Sequence, residues 1–184
     1  MPSIVHTFDW PDRVVVGTIG RPGSRAFYLQ ARDGARVTSV GLEKMQSAAL
    51  AEKIDEILDQ VMAAEGNPVS VPTGIPVELV DNEPLDQPVE PEFRAGALSL
   101  GWDPSTAQVV IEAFPLVEVD DDAELDDEAG VEPDEVMVVR IPVGTARAFA
   151  ARTLEIVGAG RPLCPFCGQP MDPEGHVCVL PGDL

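Results

Sequence analysis

Four residues near the end of the sequence have side chains that could hold a metal ion. Cys164, Cys167, His176 and Cys178 form the pattern C-x2-C-x8-H-x-C, which uses all three cysteines and one of the two histidines. Three thiolates and one imidazole are a ligand set of closed, four-coordinate zinc sites. The run Cys-Pro-Phe-Cys-Gly is typical of the tight turn from which zinc ribbons present two thiolates. The sequence therefore predicts a C-terminal zinc knuckle with these four ligands.

A redox-active pair and a group of free thiols are the alternatives for the same cysteines. A redox C-x2-C usually opens a helix, whereas Gly168 and the neighbouring prolines oppose one here. His176 and Cys178 are closer in sequence than a usual ligand pair, although residues i and i+2 of a strand share a face. If one of them does not bind the metal, water or an outside residue such as His6 would complete the site. Four protein ligands leave no position for a reactive water, so we expect structural zinc, with a partner surface as the second interpretation.

Two arginines in a glycine-rich turn are a weaker candidate, for binding an anion. Arg21 and Arg25 lie between two predicted strands, in the segment Gly20-Arg21-Pro22-Gly23-Ser24-Arg25. Phosphate loops lead into a helix N-terminus, whose amides bind the anion, but this segment leads into a strand. A hairpin turn is therefore favoured, with the anion site as the alternative. His6 lacks the nucleophile and the orienting partner that a general base needs, so we expect no catalytic residue.

The elements that must position these residues are predicted from periodicity and turn signals. Strands are expected at 14–19, 26–31, 36–40, 98–102, 108–114 and 136–141, and helices at 42–64 and 145–157. The first helix carries one apolar stripe, formed by Leu50, Ile54, Ile57, Leu58 and Val61. This arrangement indicates an α+β fold in which both helices pack on one face of an antiparallel sheet.

The chain divides into an α+β domain over residues 1–160 and a zinc-knuckle tail over residues 161–184. The halves 1–65 and 93–160 each consist of strands followed by one amphipathic helix. Both helices carry a Glu-Ile pair in their second half, at 56–57 and at 155–156. The sequence is therefore compatible with a weak internal strand-strand-helix duplication.

Two segments of unusual composition interrupt this domain. The connector 66–92 contains six prolines, which oppose a helix or a central strand but leave room for a short edge strand near 77–80. In the segment 118–135, eleven of the 18 residues are acidic and none is basic. Such a run cannot collapse on itself, so we predict a disordered acidic loop.

The formal net charge of −20 limits the partners of the protein. Such a field repels phosphate backbones and anionic lipid, so binding to nucleic acid or a membrane surface is disfavoured. No stretch reaches the roughly 18 apolar residues of a membrane span, and the N-terminus lacks the pattern of a signal peptide. Cysteines clustered at metal spacing indicate a reducing cytoplasm.

Several blocks together resemble an uncharacterised protein family found in actinobacteria. They are His6-x-Phe8, the run Val16-Gly17-Thr18-Ile19-Gly20-x-Pro22-Gly23-x-Arg25-x-Phe27-Tyr28-Leu29-Gln30-Ala31, and the ending Gly160-Arg161-Pro162-x-Cys164-Pro165-x-Cys167-Gly168-x-Pro170. The resemblance implies no assigned activity. It implies gene neighbours that encode a kinase-like and a histidine-phosphatase-like protein, and hence a shared pathway. The last six residues are more acidic and apolar than the basic tail of the relatives.

These observations favour a non-enzymatic, zinc-binding interaction or regulatory protein of the cytoplasm. Structural zinc would order the C-terminal tail, and the protein would act with a protein partner, for example the kinase-like or phosphatase-like gene neighbours. The alternative is an enzyme or sensor that acts on a phosphorylated small molecule and uses Arg21 and Arg25 as phosphate clamps.

Overall fold

Seven β-strands form one mixed sheet, and two α-helices pack on one of its faces. The computed structural model describes residues 2–117, 133–160, 162–171 and 175–178. The elements are β1 (Ile4–Asp9), β2 (Arg13–Ile19), β3 (Ala26–Asp33), β4 (Arg36–Leu42), α1 (Lys44–Met62), β5 (Pro91–Asp103), β6 (Gln108–Pro115), β7 (Glu135–Pro142) and α2 (Val143–Gly158). The strand order is β1-β7-β6-β5-β4-β3-β2. The predicted α+β class is confirmed.

The sheet contains two parallel pairings, so it is mixed, whereas the sequence predicted an antiparallel sheet. β4 runs parallel to β5, and β1 runs parallel to β7. The first pairing arises because α1 and the segment after it carry the chain back before β5 begins. The second joins the first strand to the last. No local pattern in the sequence signals such a long-range pairing.

The sheet is rolled, so its two edge strands approach each other. β1 and β2 lie at opposite ends of the strand order, yet only residues 10–12 separate them in sequence. Such a short connection spans about 14 Å at full extension. On the same side, Arg36 Nη2 donates to the Thr7 carbonyl at 2.7 Å, and the Arg36 guanidinium lies 4.1 Å from the centre of the Phe8 ring. β1 is thereby closed over the first half of the sheet.

One face of the rolled sheet and both helices enclose a single hydrophobic core. Its buried members come from all seven strands and both helices, among them Phe8, Leu29, Ile54, Ile111 and Ile141. The two helices contact each other, and each also contacts the sheet. In the described part of the chain, no helix is both long enough and apolar enough to cross a membrane.

A buried arginine joins the two helices to the segment that follows α1. Arg147 of α2 is 8% exposed. Its Nη1 and Nη2 donate to Asp55 and Asp59 of α1 at 2.9 and 3.0 Å, and its Nε donates to the Pro72 carbonyl at 3.0 Å. Because these acceptors balance its charge, the guanidinium is tolerated at this depth.

The two halves of the domain repeat the same strand registers. Leu29 pairs with Val40 between β3 and β4, and Ile111 pairs with Val139 between β6 and β7. The parallel pairings correspond as well. In the first half β4 pairs with the start of β5, and in the second half β7 pairs with β1. The first part of β5 therefore corresponds to β1, and its second part, which pairs with β6, corresponds to β2.

The buried positions of the helices follow the same correspondence. The matching pairs are Ser47 and Ala146, Leu50 and Phe149, Ala51 and Ala150, and Ile54 and Thr153. The helix follows the preceding strand at the same sequence offset in both halves, so neither half has an insertion between them. The weak duplication that the sequence indicated thus has a structural counterpart over residues 4–62 and 91–158.

The segment between α1 and β5 wraps around the edge strand β2. Arg13 of β2 donates to the Asp81 carboxylate from Nε at 2.6 Å and from Nη2 at 3.0 Å, and Arg152 of α2 donates to it from Nη1 at 3.0 Å. The hydrogen bond from Arg13 holds the pKa of Asp81 below its usual range. Leu85 then packs on Gly17, on the face of β2 opposite the core. The wrap therefore covers part of the β2 face that points away from the core.

Within this wrap, residues 77–79 form one turn of 3-10 helix and not the short edge strand that the sequence suggested. The proline before the turn has φ of −58°, and its carbonyl accepts the Leu79 amide at 2.9 Å. A proline in this position presets the backbone for a turn. The backbone groups that an edge strand would offer to a neighbour are therefore used locally.

Other boundaries also differ from the predicted ones. α2 begins at Val143 with Pro142 as its N-cap, two residues ahead of the predicted start at residue 145. β5 begins at Pro91, inside the predicted connector, because pairing with β4 overrides the local proline signal. Residues 118–132 of the predicted acidic loop and the last six residues lie outside the described residues. The division into a domain over 1–160 and a tail over 161–184 stays a prediction.

Candidate metal centre

A tight turn presents the first two cysteines of the tail. The Gly168 amide donates to the Cys164 carbonyl at 2.9 Å, and the Cys164 amide donates to the Gln169 carbonyl at 2.8 Å. Gly168 has φ of 72°, in the left-handed region that glycine enters without steric cost. Leu163 and Pro170 pair below the turn as an isolated antiparallel bridge. The backbone thus forms the knuckle expected from the sequence.

All four predicted ligands converge on one point. Cys164 Sγ lies 3.8 Å from Cys178 Sγ, and Cys167 Sγ lies 3.2 Å from His176 Nε2. The four ligand atoms lie within 4.8 Å of one another. The cysteines are free thiols, since sulfurs joined in a disulfide would be about 2.05 Å apart.

These separations fit the coordination sphere of zinc. Bonds of about 2.3 Å to sulfur and about 2.0–2.1 Å to nitrogen, at tetrahedral angles, place neighbouring ligand atoms about 3.5–3.8 Å apart. Two pairs in the cluster, at 3.8 and 3.2 Å, are near that range. Sulfur and imidazole ligands in a tetrahedral arrangement favour zinc over magnesium or calcium, which prefer oxygen ligands.

Two cysteines of the cluster have pKa values shifted in opposite directions. Hydrogen bonds from the amides of Cys167 and Phe166 lower the pKa of Cys164 to about 6. Burial, followed by contacts with the neighbouring thiols, raises the pKa of Cys178 to about 11. The turn therefore supplies one thiolate at neutral pH, whereas Cys178 would ionise there only beside a positive charge such as a metal ion.

A family model described as a protein of unknown function (DUF3090) matches residues 6–178. The chain belongs to this family. No curated protein and no solved structure matches this chain. The predicted membership of an uncharacterised family is thus confirmed, whereas the actinobacterial origin and the gene neighbours stay predictions. The DUF3090 match extends to Cys178, so it includes all four clustered ligands.

The glycine-rich turn of this DUF3090 chain joins β2 to β3, which confirms the predicted hairpin. The Ser24 amide donates to the Arg21 carbonyl at 2.8 Å inside the turn. Arg25 Nη1 donates to the Ile156 carbonyl at 3.0 Å, near the C-terminal end of α2. Because the turn leads into a strand, no helix N-terminus supports an anion between Arg21 and Arg25. An anion site at this pair stays a prediction.

His6 belongs to a separate group of side chains and is not the outside ligand considered for the knuckle. Its Nε2 lies 2.6 Å from Glu135 Oε1 on β7, and Glu92 of β5 is the third member of the group. Sequence reasoning missed both glutamates. They approach His6 only because the sheet is rolled and β1 pairs with β7, and neither feature has a local signal.

Proposed function

We propose that this chain binds one structural zinc ion through Cys164, Cys167, His176 and Cys178, and that it acts as an interaction or regulatory protein and not as an enzyme. The observation that carries the proposal is the convergence of the four ligand atoms within 4.8 Å. Zinc would offset most of the charge of the three thiolates and hold the two ligand pairs together. With four protein ligands, no coordination position is left for a reactive water.

A structural role for the ion is supported by the small amount of apolar packing around the ligands. Cys164 is buried, but the large apolar side chains beside the ligands are exposed, at 65% for Leu163, 79% for Phe166 and 88% for Val177. A segment that buries so little apolar surface needs another source of order, which metal ligation supplies in small domains.

The same exposed side chains support a role in binding a protein. Phe166 lies between the first two ligands and Val177 between the last two, so a bound ion would fix the backbone at both. Exposed apolar side chains on a rigid support are typical of binding surfaces. The kinase-like and histidine-phosphatase-like proteins implied by the family resemblance are the first partners to test. Three thiolate ligands suit a reducing compartment, so we place this activity in the cytoplasm.

Elemental analysis of three purified proteins tests the zinc site. We expect about one zinc per chain in the natural protein and in Phe166→Ser, and none in Cys167→Ser, which loses a ligand. Cys167→Ser should also be cleaved within the tail by a protease that leaves Phe166→Ser intact. Full zinc content in Cys167→Ser, or a natural protein without zinc after expression in zinc-supplemented medium, would contradict the proposal.

Capture assays with the two purified candidate partners test the interaction. The natural protein should retain a partner, and Phe166→Ser should lose it while keeping its zinc. Val77→Ser, which removes an equally exposed apolar side chain from the segment between α1 and β5, is the control and should behave as the natural protein. If neither partner is retained, these two assignments are wrong; if Phe166→Ser still retains one, the knuckle is not the contact surface.

A further inference from the structure

A cavity of about 530 Å³ lies between the knuckle, the end of α2 and the start of α1. Residues from four segments line it, among them Arg25, Phe27, Lys44, Gly160, Leu163 and Pro170. Both of its charged lining residues, Arg25 and Lys44, are cationic. Four other cavities in the described part of the chain each include at least one carboxylate. In a chain of net charge −20, a cavity whose described lining carries only positive charge differs from the rest of the described surface.

The two cations converge on the backbone just after α2. A Cβ built on Gly160 would lie 3.3 Å from Lys44 Nζ and 3.8 Å from Arg25 Nη2. Among the described residues neither cation forms an ion pair. Arg25 uses Nη1 for the Ile156 carbonyl, and Glu43, the carboxylate next to Lys44, pairs with Arg94 instead. Like charges held this close repel each other, and an anion between them would remove the repulsion.

The structural repeat indicates that the fold itself does not require these cations. Lys44 is the first residue of α1, and the corresponding first residue of α2 is Val143. Arg25 precedes β3, and the residue that precedes β6 is Ala107. The second half keeps the same strand registers with an apolar residue at both places. Packing therefore does not account for the charge of Lys44, whereas Arg25 also bonds the Ile156 carbonyl and keeps Nη2 for a further partner.

We propose that this cavity binds a small phosphorylated molecule, with the phosphate between Lys44 Nζ and the free edge of the Arg25 guanidinium. Arginine and lysine are the side chains with which proteins most often bind phosphate. The Arg25 guanidinium lies 5.1 Å from the centre of the Phe27 ring, which supports it from one side. The exposed side chain of Leu163 offers an apolar surface for the rest of the ligand. The volume is that of a small-molecule site, about 300–1,000 Å³.

This inference goes beyond the zinc proposal, although the two sites are adjacent. Leu163 and Pro170 of the cavity wall belong to the knuckle, which positions the cavity beside the proposed zinc. The phosphate contacts come from Lys44 and Arg25, outside the ligand set. Loss of either contact should therefore leave the zinc content unchanged, and this separates a failure of one proposal from a failure of the other.

NMR titration of the full chain with inorganic phosphate, and then with pyrophosphate, tests the proposal. Chloride keeps the ionic strength constant. We expect saturable shifts of the amides of Gly158 and Gly160. Lys44→Gln should weaken binding roughly 10- to 100-fold, because a hydrogen bond to a charged group is worth roughly 1.5–3 kcal/mol and 1.4 kcal/mol is a factor of ten. Lys53→Gln makes the same charge change on the exposed side of α1 and should bind as the natural protein does.

The zinc content of every sample is measured alongside the titration. Arg25→Gln should also weaken binding, but it removes the bond to the Ile156 carbonyl as well, so Lys44→Gln is the decisive variant. Shifts that grow linearly with both probes would show that no phosphate site exists. Equal weakening by Lys44→Gln and Lys53→Gln would show a general effect of charge. Either result overturns the proposal.

Discussion

Replacing Gly17 by alanine should destabilise the domain, because it forces Leu85 away from the edge strand β2. A Cβ at Gly17 would lie 2.5 Å from Leu85 Cγ and Cδ2, closer than real contacts allow. Leu85 is 5% exposed. Its full burial is worth roughly 1.5–3 kcal/mol, and overpacking costs about 1–3 kcal/mol. Alanine recovers about 0.5–1 kcal/mol of backbone entropy. We expect a net loss of about 1–2 kcal/mol, or roughly 2–8 °C in Tm for a chain of this size.

The repeat supplies a matched control for this substitution. Gly17 pairs with Tyr28, and Gly101 has the corresponding place opposite Val110. A Cβ on Gly101 would meet nothing within 4 Å, so Gly101→Ala should leave stability unchanged or raise it slightly. Urea unfolding followed by circular dichroism measures both variants, and the double change Gly17→Ala with Leu85→Ala should cost less than the sum of the two. Equal unfolding free energies for Gly17→Ala and Gly101→Ala would refute the reasoning.

Two further predictions concern charged side chains that hold the domain together. The pKa of Asp81 is lowered in the folded state, chiefly by its hydrogen bond from Arg13. Its contribution to the free energy of unfolding is therefore complete above the unfolded pKa of about 3.9, and it is lost as the pH falls through the lower pKa of the folded state. The difference in urea stability between the natural protein and Asp81→Asn should therefore shrink below about pH 4; a constant difference from pH 7 to pH 3 would contradict this. Arg147→Met leaves the partly buried Pro72 carbonyl and two α1 carboxylates without their partner. It should cost about 2–4 kcal/mol, since those carboxylates are partly solvated. Arg94→Met breaks an exposed pair and should cost less than about 1 kcal/mol in the same assay; equal costs would contradict the burial argument.

Local elements were predictable because their signals are local. In α1, Leu50, Ile54 and Leu58 of the predicted stripe are all buried, as the 3.6-residue period requires. The hairpin between β2 and β3 follows from turn residues next to β-branched strands. The parallel pairing of β1 with β7 and the rolling of the sheet have no such signal, because the paired residues are far apart in sequence and any strand offers the same backbone groups.

The candidate sites divide in the same way. The four metal ligands were predictable because a knuckle brings them together over a short stretch of sequence, and their spacing is itself the signal. Lys44 was not recognised as a neighbour of Arg25, because their approach depends on how the start of α1 meets the end of α2. A lysine at the start of a helix is usually solvated and has no binding role. Only the tertiary fold shows that Lys44 lies next to Arg25.

The repeat also gives a physical reason for a metal at this point of the chain. After α1, the chain is held twice: Asp81 bonds Arg13 and Arg152, and β5 pairs with β4. After α2, the described residues contain no further strand, and the only pairing is the bridge between Leu163 and Pro170. Zinc ligation would supply for the second segment what ion pairs and strand pairing supply for the first. On this argument, chelation should release the knuckle and leave the sheet and both helices folded, since none of their core contacts involves the four ligands.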